Sequence, residues 1–468
     1  MLLKSLRRIW SRSEIRTRPE GCRPRERRIP SALVEMLEKR LQLSVITVTN
    51  LQDSGTGSLR AAVAAANSSS GADVITFQKN LAGTIVLTSG QLEINDALTI
   101  DGTGMSRLTI SGNHASRMLQ INPGVKVSID DLTIADGRNT VQDNVGILVT
   151  RGGAILNDGG ELNLTRVKMK NNQAIDPSGT SQVVGGGAVV NSSFAQMTAK
   201  DCYFVGNIAS GGINYAFGGA IANVTDSQAD LQNCVFIGST AMTGGTSYGG
   251  AVGNFGSSLL NVSNSSFTDN TARGIDEGEN AYGGAIATRP GTVVDSGSTT
   301  NIDCSHFLNN RAVAADGGNA GGGALYNVES VLNVRHSRFL CNQAVGGQSG
   351  VSGGNAFGGA IAATALHQSA APTTSISGSQ FLGNQTVSGK SAGLAAGGAL
   401  YNTIGQMDIV HSLIAANGAR GRGNGQGIGG GIYNLGTAFA DVSTLHFGIH
   451  GNFASTSHPN VYGTVKRK

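Results

Sequence analysis

The chain has 468 residues, 69 of them glycine, with only 5% aromatic residues, a single tryptophan (Trp10) and a formal net charge of +4. Aromatics this sparse would leave the core of a conventional globule thin, and no apolar run is long enough to span a membrane as a helix. The charge is concentrated at one end: residues 1–45 carry 12 Lys/Arg against 5 Asp/Glu, leaving about −3 on the rest. No basic stripe with stacking aromatics follows, which argues against a nucleic-acid partner.

In chain order, residues 1–45 read as a basic leader, disordered or used for targeting. A strand signal at Ile46-Thr-Val-Thr-Asn50 comes next, then Asp53-Ser-Gly-Thr-Gly-Ser58 running into Leu59-Arg-Ala-Ala-Val-Ala-Ala-Ala-Asn67. Ser58 is a favourable N-cap for that alanine-rich helix. A solenoid needs its open end covered, so residues 46–82 are expected to form a cap of strand plus short helix. Short strands are predicted at Thr84–Leu87, Leu92–Ile94, Leu98–Ile100, Leu108–Ile110 and Val127–Ile134, making residues 83–150 irregular N-terminal coils.

From 151 to 455 the chain repeats itself nine times, at intervals of 31 to 39 residues. Each copy opens with Gly-Gly, as at Gly152-Gly153, Gly218-Gly219 and Gly322-Gly323. An aliphatic residue follows three places after the first glycine (Ile155, Ile221, Leu325), and two places on comes Asn, replaced by Thr288 and Ala363 in two copies. The residue between them varies from Gly253 to Tyr401. Constancy at alternate positions marks a strand with one buried face.

The second half-repeat is anchored on Met169, Phe204, Phe236, Phe267, Phe307, Phe339, Phe381, Ile414 and Ile449. Two places earlier the residue is mostly small, from Cys202 and Cys234 to Ser412. Three places after the anchor comes Asn (Asn207, Asn270, Asn310, Asn342, Asn384, Asn417), with Ser239 as the exception, and five places after it comes Ala, with Thr386 as the exception. Stacked at the strand spacing of about 4.8 Å, these columns give a buried Phe stack and Asn ladders at the turns. Glycine suits the strand start because it tolerates positive φ and close backbone approach.

The predicted fold is therefore all-β, a right-handed single-stranded parallel β-helix of pectate-lyase-like architecture with roughly 11 coils and an N-terminal strand/helix cap. Helical solenoids are excluded by the glycine content and the strand period. Loops from the Ala column to the next Gly-Gly, such as Val345 to Phe357 and Arg420 to Ile428, are read as lying outside the columns. They form the expected binding face between Ala174 and Ile428. Longer second corners are expected at 289–300 and 364–375, and residues 456–468 form a C-terminal tail.

The paired Gly-Gly-Ala-Ile and Phe-x-x-Asn motifs resemble those of the polymorphic outer membrane proteins of chlamydiae and their environmental relatives. Gly57-Ser58-Leu59-Arg60 resembles the start of bacterial surface β-helices, and residues 35–44 resemble a planctomycete export leader, with Val34 and Gln42 departing from it. The resemblance implies an exported β-helical passenger. Family members carry a membrane barrel after it; the chain ends at Val465-Lys-Arg-Lys468, so no barrel is expected.

Candidate chemistry is sparse. A polysaccharide-processing β-helix needs clustered carboxylates, used as an acid–base pair or around Ca²⁺. Asp130-Asp131 lies on a strand, so one carboxylate should face solvent and the other should cap a turn. Asp276, Glu277 and Glu279 crowd one loop and are a candidate Ca²⁺ site, set against a plain solvated loop. His336 and His411 share a column with Gly378 between them, too far apart for one metal. Cys202 and Cys234 are expected to stack as buried thiols, and Gly421–Gly427 lacks the Lys-Ser/Thr of a phosphate loop. Tyr326, Tyr401 and Tyr433 take outward positions and form a candidate exposed ligand-contact strip.

These features read as a secreted or surface-displayed β-helix, extracellular or outer-membrane-associated. Its expected role is structural, adhesive or interactive without catalysis, toward a glycan or protein surface. The alternative is a polysaccharide lyase or glycoside hydrolase.

Overall fold

The computed structural model describes residues 44–467 except 142, 145–147, 292–296, 349–352, 366–370, 441–443 and 445–447. The basic leader, with Trp10, Cys22 and the export-like segment up to 43, lies outside the described residues, as do parts of the two lengthened corners.

The chain is an all-β parallel solenoid of about 12 turns behind a cap of strands and one helix. In the cap, Val45–Val48 pairs in parallel with Asp73–Phe77, a strand absent from the sequence reading. The helix Leu59–Ser68 starts where expected: Ser58 is extended, and its hydroxyl accepts from the Ala61 N–H at 3.2 Å. Leu59, Ala62, Val63 and Ala66 bury one helical face in the same core that runs through the coils.

Four sheets build the coils. The Phe sheet has 24 strands, mostly two per turn, and the Gly-Gly sheet has 12. Their inward faces form the main core. The rings of Phe204, Phe236, Phe267, Phe307, Phe339 and Phe381 stack with centroids 4.5–4.9 Å apart and planes within 8°. All six are fully buried.

The two glycines of each pair answer different constraints. The first is left-handed throughout, as at Gly322 (φ +63°). The second lies against the next coil: a Cβ on Gly323 would sit 2.1 Å from the carbonyl oxygen of Gly359, and one on Gly284 equally close to that of Gly323. Only a residue without Cβ permits the strand spacing there.

The Asn columns are buried ladders. Asn270, Asn310, Asn342, Asn384 and Asn417 each donate from Nδ2 to the Oδ1 of the next Asn, and from their backbone N–H to the same oxygen. Asn207 holds the earlier rung, accepting from Asn172. The small column is a third ladder: backbone N–H groups of Cys234, Ser265, Ser305, Ser337, Ser379 and Ser412 donate to the hydroxyl one coil on.

The segments between the Ala column and the next Gly-Gly correct the sequence reading. They are not loops outside the columns but two further sheets of ten strands each. One holds the Ala column, as in Ile208–Ser210 and Gln343–Val345; the other, outermost sheet includes Tyr215–Phe217, Thr246–Tyr248, Ala281–Tyr282 and Ala356–Phe357. Facing alanines (Ala272, Ala281, Ala312, Ala320, Ala344, Ala356) form a thin second core. Alanine buries too little area to stand out as a hydrophobic run, so its period of two passes for loop composition.

Candidate ligand-binding cleft

Alternate residues of the outermost sheet point away from the alanine core and onto the outward face of the Gly-Gly sheet. Tyr248, Tyr282 and Phe357 pack there with Tyr326, Tyr401 and Tyr433. Tyr282 and Tyr326 stack at 4.3 Å, Phe357 and Tyr401 lie 4.7 Å apart, and Tyr401 and Tyr433 lie 5.4 Å apart. The predicted exposed tyrosine strip is thereby corrected. Tyr326, Tyr401 and Tyr433 are only 6–9% exposed, because the outer sheet covers them. Burial pushes the hydroxyls of Tyr326, Tyr401 and Tyr433 upward in pKa, since a phenolate there would lose its hydration.

In the first repeats this cover stands open, leaving a cleft of about 440 Å³. One wall is the outer sheet, with Val149, Val183, Tyr215 and Phe217. The other is the end of the Gly-Gly strands and the turns after them, with Asp158, Ser192, Ser193, Phe255 and Arg289. Phe217 is seated by two glycines: a Cβ on Gly185 or Gly253 would come within 2.9 Å of its ring. Phe255 lies against it at 4.8 Å.

Arg289 ends its strand over this aromatic group. Its guanidinium carbon is 5.1 Å from the Tyr215 centroid, 5.0 Å from Tyr248 and 5.7 Å from Phe255. Among the described residues its side chain makes no ion pair. Asp158 is the cleft's carboxylate. It accepts from the hydroxyls of Ser192 at 3.0 Å and Ser193 at 2.6 Å, and lies 4.0 Å from Arg151. The site therefore combines flat apolar faces with one cation held by rings and a polar end built on Asp158.

The sequence reading missed these residues, although a signal existed. The residue just before Gly-Gly is aromatic at Phe217, Tyr248, Tyr282 and Phe357, a third column beside the two that were read.

Other candidates fall elsewhere. Asp276, Glu277 and Glu279 share a tight turn closed by the Glu279 N–H donating to the Asp276 carbonyl at 3.1 Å. Burial, then Asp276, raises the Glu279 carboxyl. Among the described residues, the set of three metal-capable side chains whose donor atoms lie within 4.8 Å of one another is a different one: Asp303, Cys304 and His336, all exposed. His336 Nδ1 is 3.1 Å from Asp303, and its ring lies over Gly378, which separates it from His411. Asp131 is left-handed (φ +54°) and ion-paired to Arg166 at 2.5 Å. Asp130 lies in register with Asp101 on the neighbouring strand, and the Asp101 carboxyl is raised by burial and by Asp130 and Asp131. Cys202 and Cys234 are buried free thiols, whereas Cys304 and Cys341 are exposed.

No protein-family model matches the chain, and no curated protein matches it. Among solved structures it is similar to tailspike protein 3 of bacteriophage CBA120, at 13% identity and a TM-score of 0.37 over 87% of this chain and 56% of that one. It is similar also to ORF18 of Geobacillus virus E2, at 13% identity and a TM-score of 0.25 over 73% of this chain and 62% of that one. A third is the catalytic unit of a GH87 α-1,3-glucanase from Streptomyces thermodiastaticus, at 11% identity and a TM-score of 0.32 over 91% and 68%. The chain thus spans little more than half the length of the tailspike.

Proposed function

We propose that the chain is an interaction protein displayed outside the cell, which holds a glycan in the cleft between its outer and Gly-Gly sheets without cleaving it. The observation that carries this reading is the cleft's lining: Tyr215, Phe217 and Phe255 beside one carboxylate, Asp158, already engaged by two hydroxyls and Arg151. Aromatic faces carry negative quadrupole charge and suit the C–H face of a sugar ring. Glycosidic cleavage by the usual routes asks for two carboxylates flanking one bond. The resemblance of the Gly-Gly-Ala-Ile and Phe-x-x-Asn motifs to those of polymorphic outer membrane proteins also supports surface display.

The test is a glycan-binding screen of the purified chain, followed by Phe217→Ala. Loss of binding with an unchanged melting temperature supports the reading. Absence of any glycan binding overturns it.

One observation favours the enzymatic alternative. Asp101 and Asp130 lie side by side on adjacent strands, which brings two carboxylates to one place, as glycosidase chemistry requires. Glycan cleavage by the intact chain, abolished by Asp130→Asn, would establish it.

A further inference from the structure

We infer that the sugar held in this cleft is acidic, a hexuronate-type ring whose carboxylate is taken by Arg289. The inference rests on the glycan-binding reading above and adds the chemical class of the ligand.

The argument starts from charge. Other arginines of the chain have a carboxylate beside them: the half-buried Arg60 reaches Asp53 at 2.8 Å, the exposed Arg166 reaches Asp131 at 2.5 Å, and Arg151 stands 4.0 Å from Asp158. Arg289 instead rests on three ring faces. Rings stabilise the cation but take none of its N–H groups as a carboxylate would, and a guanidinium carries five donors in a fixed fork. No side-chain hydrogen bond from Arg289 exists among the described residues, while its half-buried position costs it part of its hydration. A planar anion completes such a group better than a hydroxyl does, because fork-to-fork pairing satisfies two donors at once.

Geometry supplies the rest. Two of the three rings that carry Arg289, Tyr215 and Phe255, line the cleft, so a carboxylate on the guanidinium brings its sugar ring down beside Phe217 and Phe255. Phe217 cannot shift toward the sheet, because Gly185 and Gly253 already contact it. At the opposite end, Ser192, Ser193 and Asp158, with Arg151 4.0 Å from that carboxylate, offer hydroxyl and carboxylate oxygens suited to ring hydroxyls. The cleft is thus polarised, with an anion acceptor at one end and a hydroxyl reader at the other. A neutral sugar would leave Arg289 with no carboxylate partner among the described residues.

The experiment is calorimetric titration of the full chain with three probes: oligosaccharides ending in glucuronate or galacturonate, the same oligosaccharides with the carboxyl reduced to alcohol, and neutral sugars bearing one sulfate. The expected result is at least about tenfold tighter binding of the uronate form than of the reduced form, the size of a charge-assisted hydrogen-bonded contact. Arg289→Gln should erase that difference, and Arg289→Lys should restore part of it. If Arg289→Gln melts early, the reduced-probe comparison on the native chain still decides. Equal affinity for acid and reduced forms overturns the acidic-sugar inference while the glycan reading stands. Preference for the sulfate overturns the carboxylate assignment. Failure of every probe to bind overturns this inference together with the reading beneath it.

Discussion

Asn310 and Asn342 are joined twice: both the side-chain amide and the backbone N–H of Asn310 donate to the same Oδ1 of Asn342, each at 2.9 Å. The Asn310 amide also reaches back to the carbonyl of Phe267 at 2.9 Å. One side chain therefore fastens three coils. The column is broken at Ser239, whose buried hydroxyl has no partner among the described residues although its N–H still donates to Asn270. Ser239→Asn should complete the ladder and stabilise by about 1 kcal/mol. Asn310→Ala and Asn310→Ser should both destabilise by about 1–3 kcal/mol, since serine does not bridge the gap where it occurs naturally. Denaturant melts of the three variants decide; an unstabilised Ser239→Asn would show that the ladder adds nothing there.

Phe307→Ala opens the centre of the ring stack and should cost about 3–5 kcal/mol. A reading of Tyr401 as exposed would make Tyr401→Ala nearly silent. With Tyr401 only 9% exposed and packed on Phe357 and Tyr433, the same change should cost roughly 2–3 kcal/mol. A loss under 1 kcal/mol in a urea melt would place that ring outside the packed layer.

Gly323→Ala forces a methyl group toward the Gly359 carbonyl, and backbone cannot rotate away as a side chain could. A loss of about 3 kcal/mol or more is expected, by overpacking at a site with no slack. Gly278→Ala is the comparison: its φ is +84°, but nothing lies within 4 Å of the added atom. It should cost about 1 kcal/mol, from the left-handed backbone alone. Equal losses would mean that close approach contributes nothing beyond φ.

The cap should be acid-sensitive. Burial works against the Asp53 carboxylate, but hydrogen bonds from Ser89, Arg60 and Thr88 outweigh it and hold the pKa at about 2, well below the usual aspartate range. A folded pKa below the unfolded one stabilises above the unfolded value, and the gain is lost as pH falls through the folded value. The contribution, on the order of 1–2 kcal/mol, should be complete above pH ~4 and gone near pH ~2. Thermal melts of the native chain and of Asp53→Asn should converge over that interval; a constant gap would exclude ionisation as the cause.

Thiol reactivity separates the two cysteine environments. In the folded chain a bulky maleimide should label Cys304 and Cys341, leaving Cys202 and Cys234 unmodified until denaturant is added. Peptide mass mapping reads this directly. Labelling of Cys234 in the native state would show that the small column opens to solvent.

The main core was legible in the sequence because each coil puts one large residue at one position: Phe307 on Phe267, Leu325 on Ile286. The second layer was not, for an equally physical reason. Ala312 and Ala320 carry one methyl each and sit among glycines, so composition reads as loop while geometry makes strands. Since that layer buries Tyr401 and frames the cleft, missing it misplaced the tyrosines and hid Arg289. The Asn columns were read correctly as ladders, because an amide repeated at fixed distance from an aromatic has few other uses.

The glycine contact between coils also bears on how such a chain can change over time. Gly323 meets Gly359 as Gly284 meets Gly323, so the seam after any coil is chemically the same as the seam before it. Whole coils are thus interchangeable units of inheritance. Duplicating or excising the stretch from one Gly-Gly to the next rejoins Phe to Phe and Asn to Asn without a new mismatch. Losing or adding a few residues within a coil would instead throw every column out of step. Length is free to vary in full turns, and the cleft, confined to the first repeats, would survive such changes farther along.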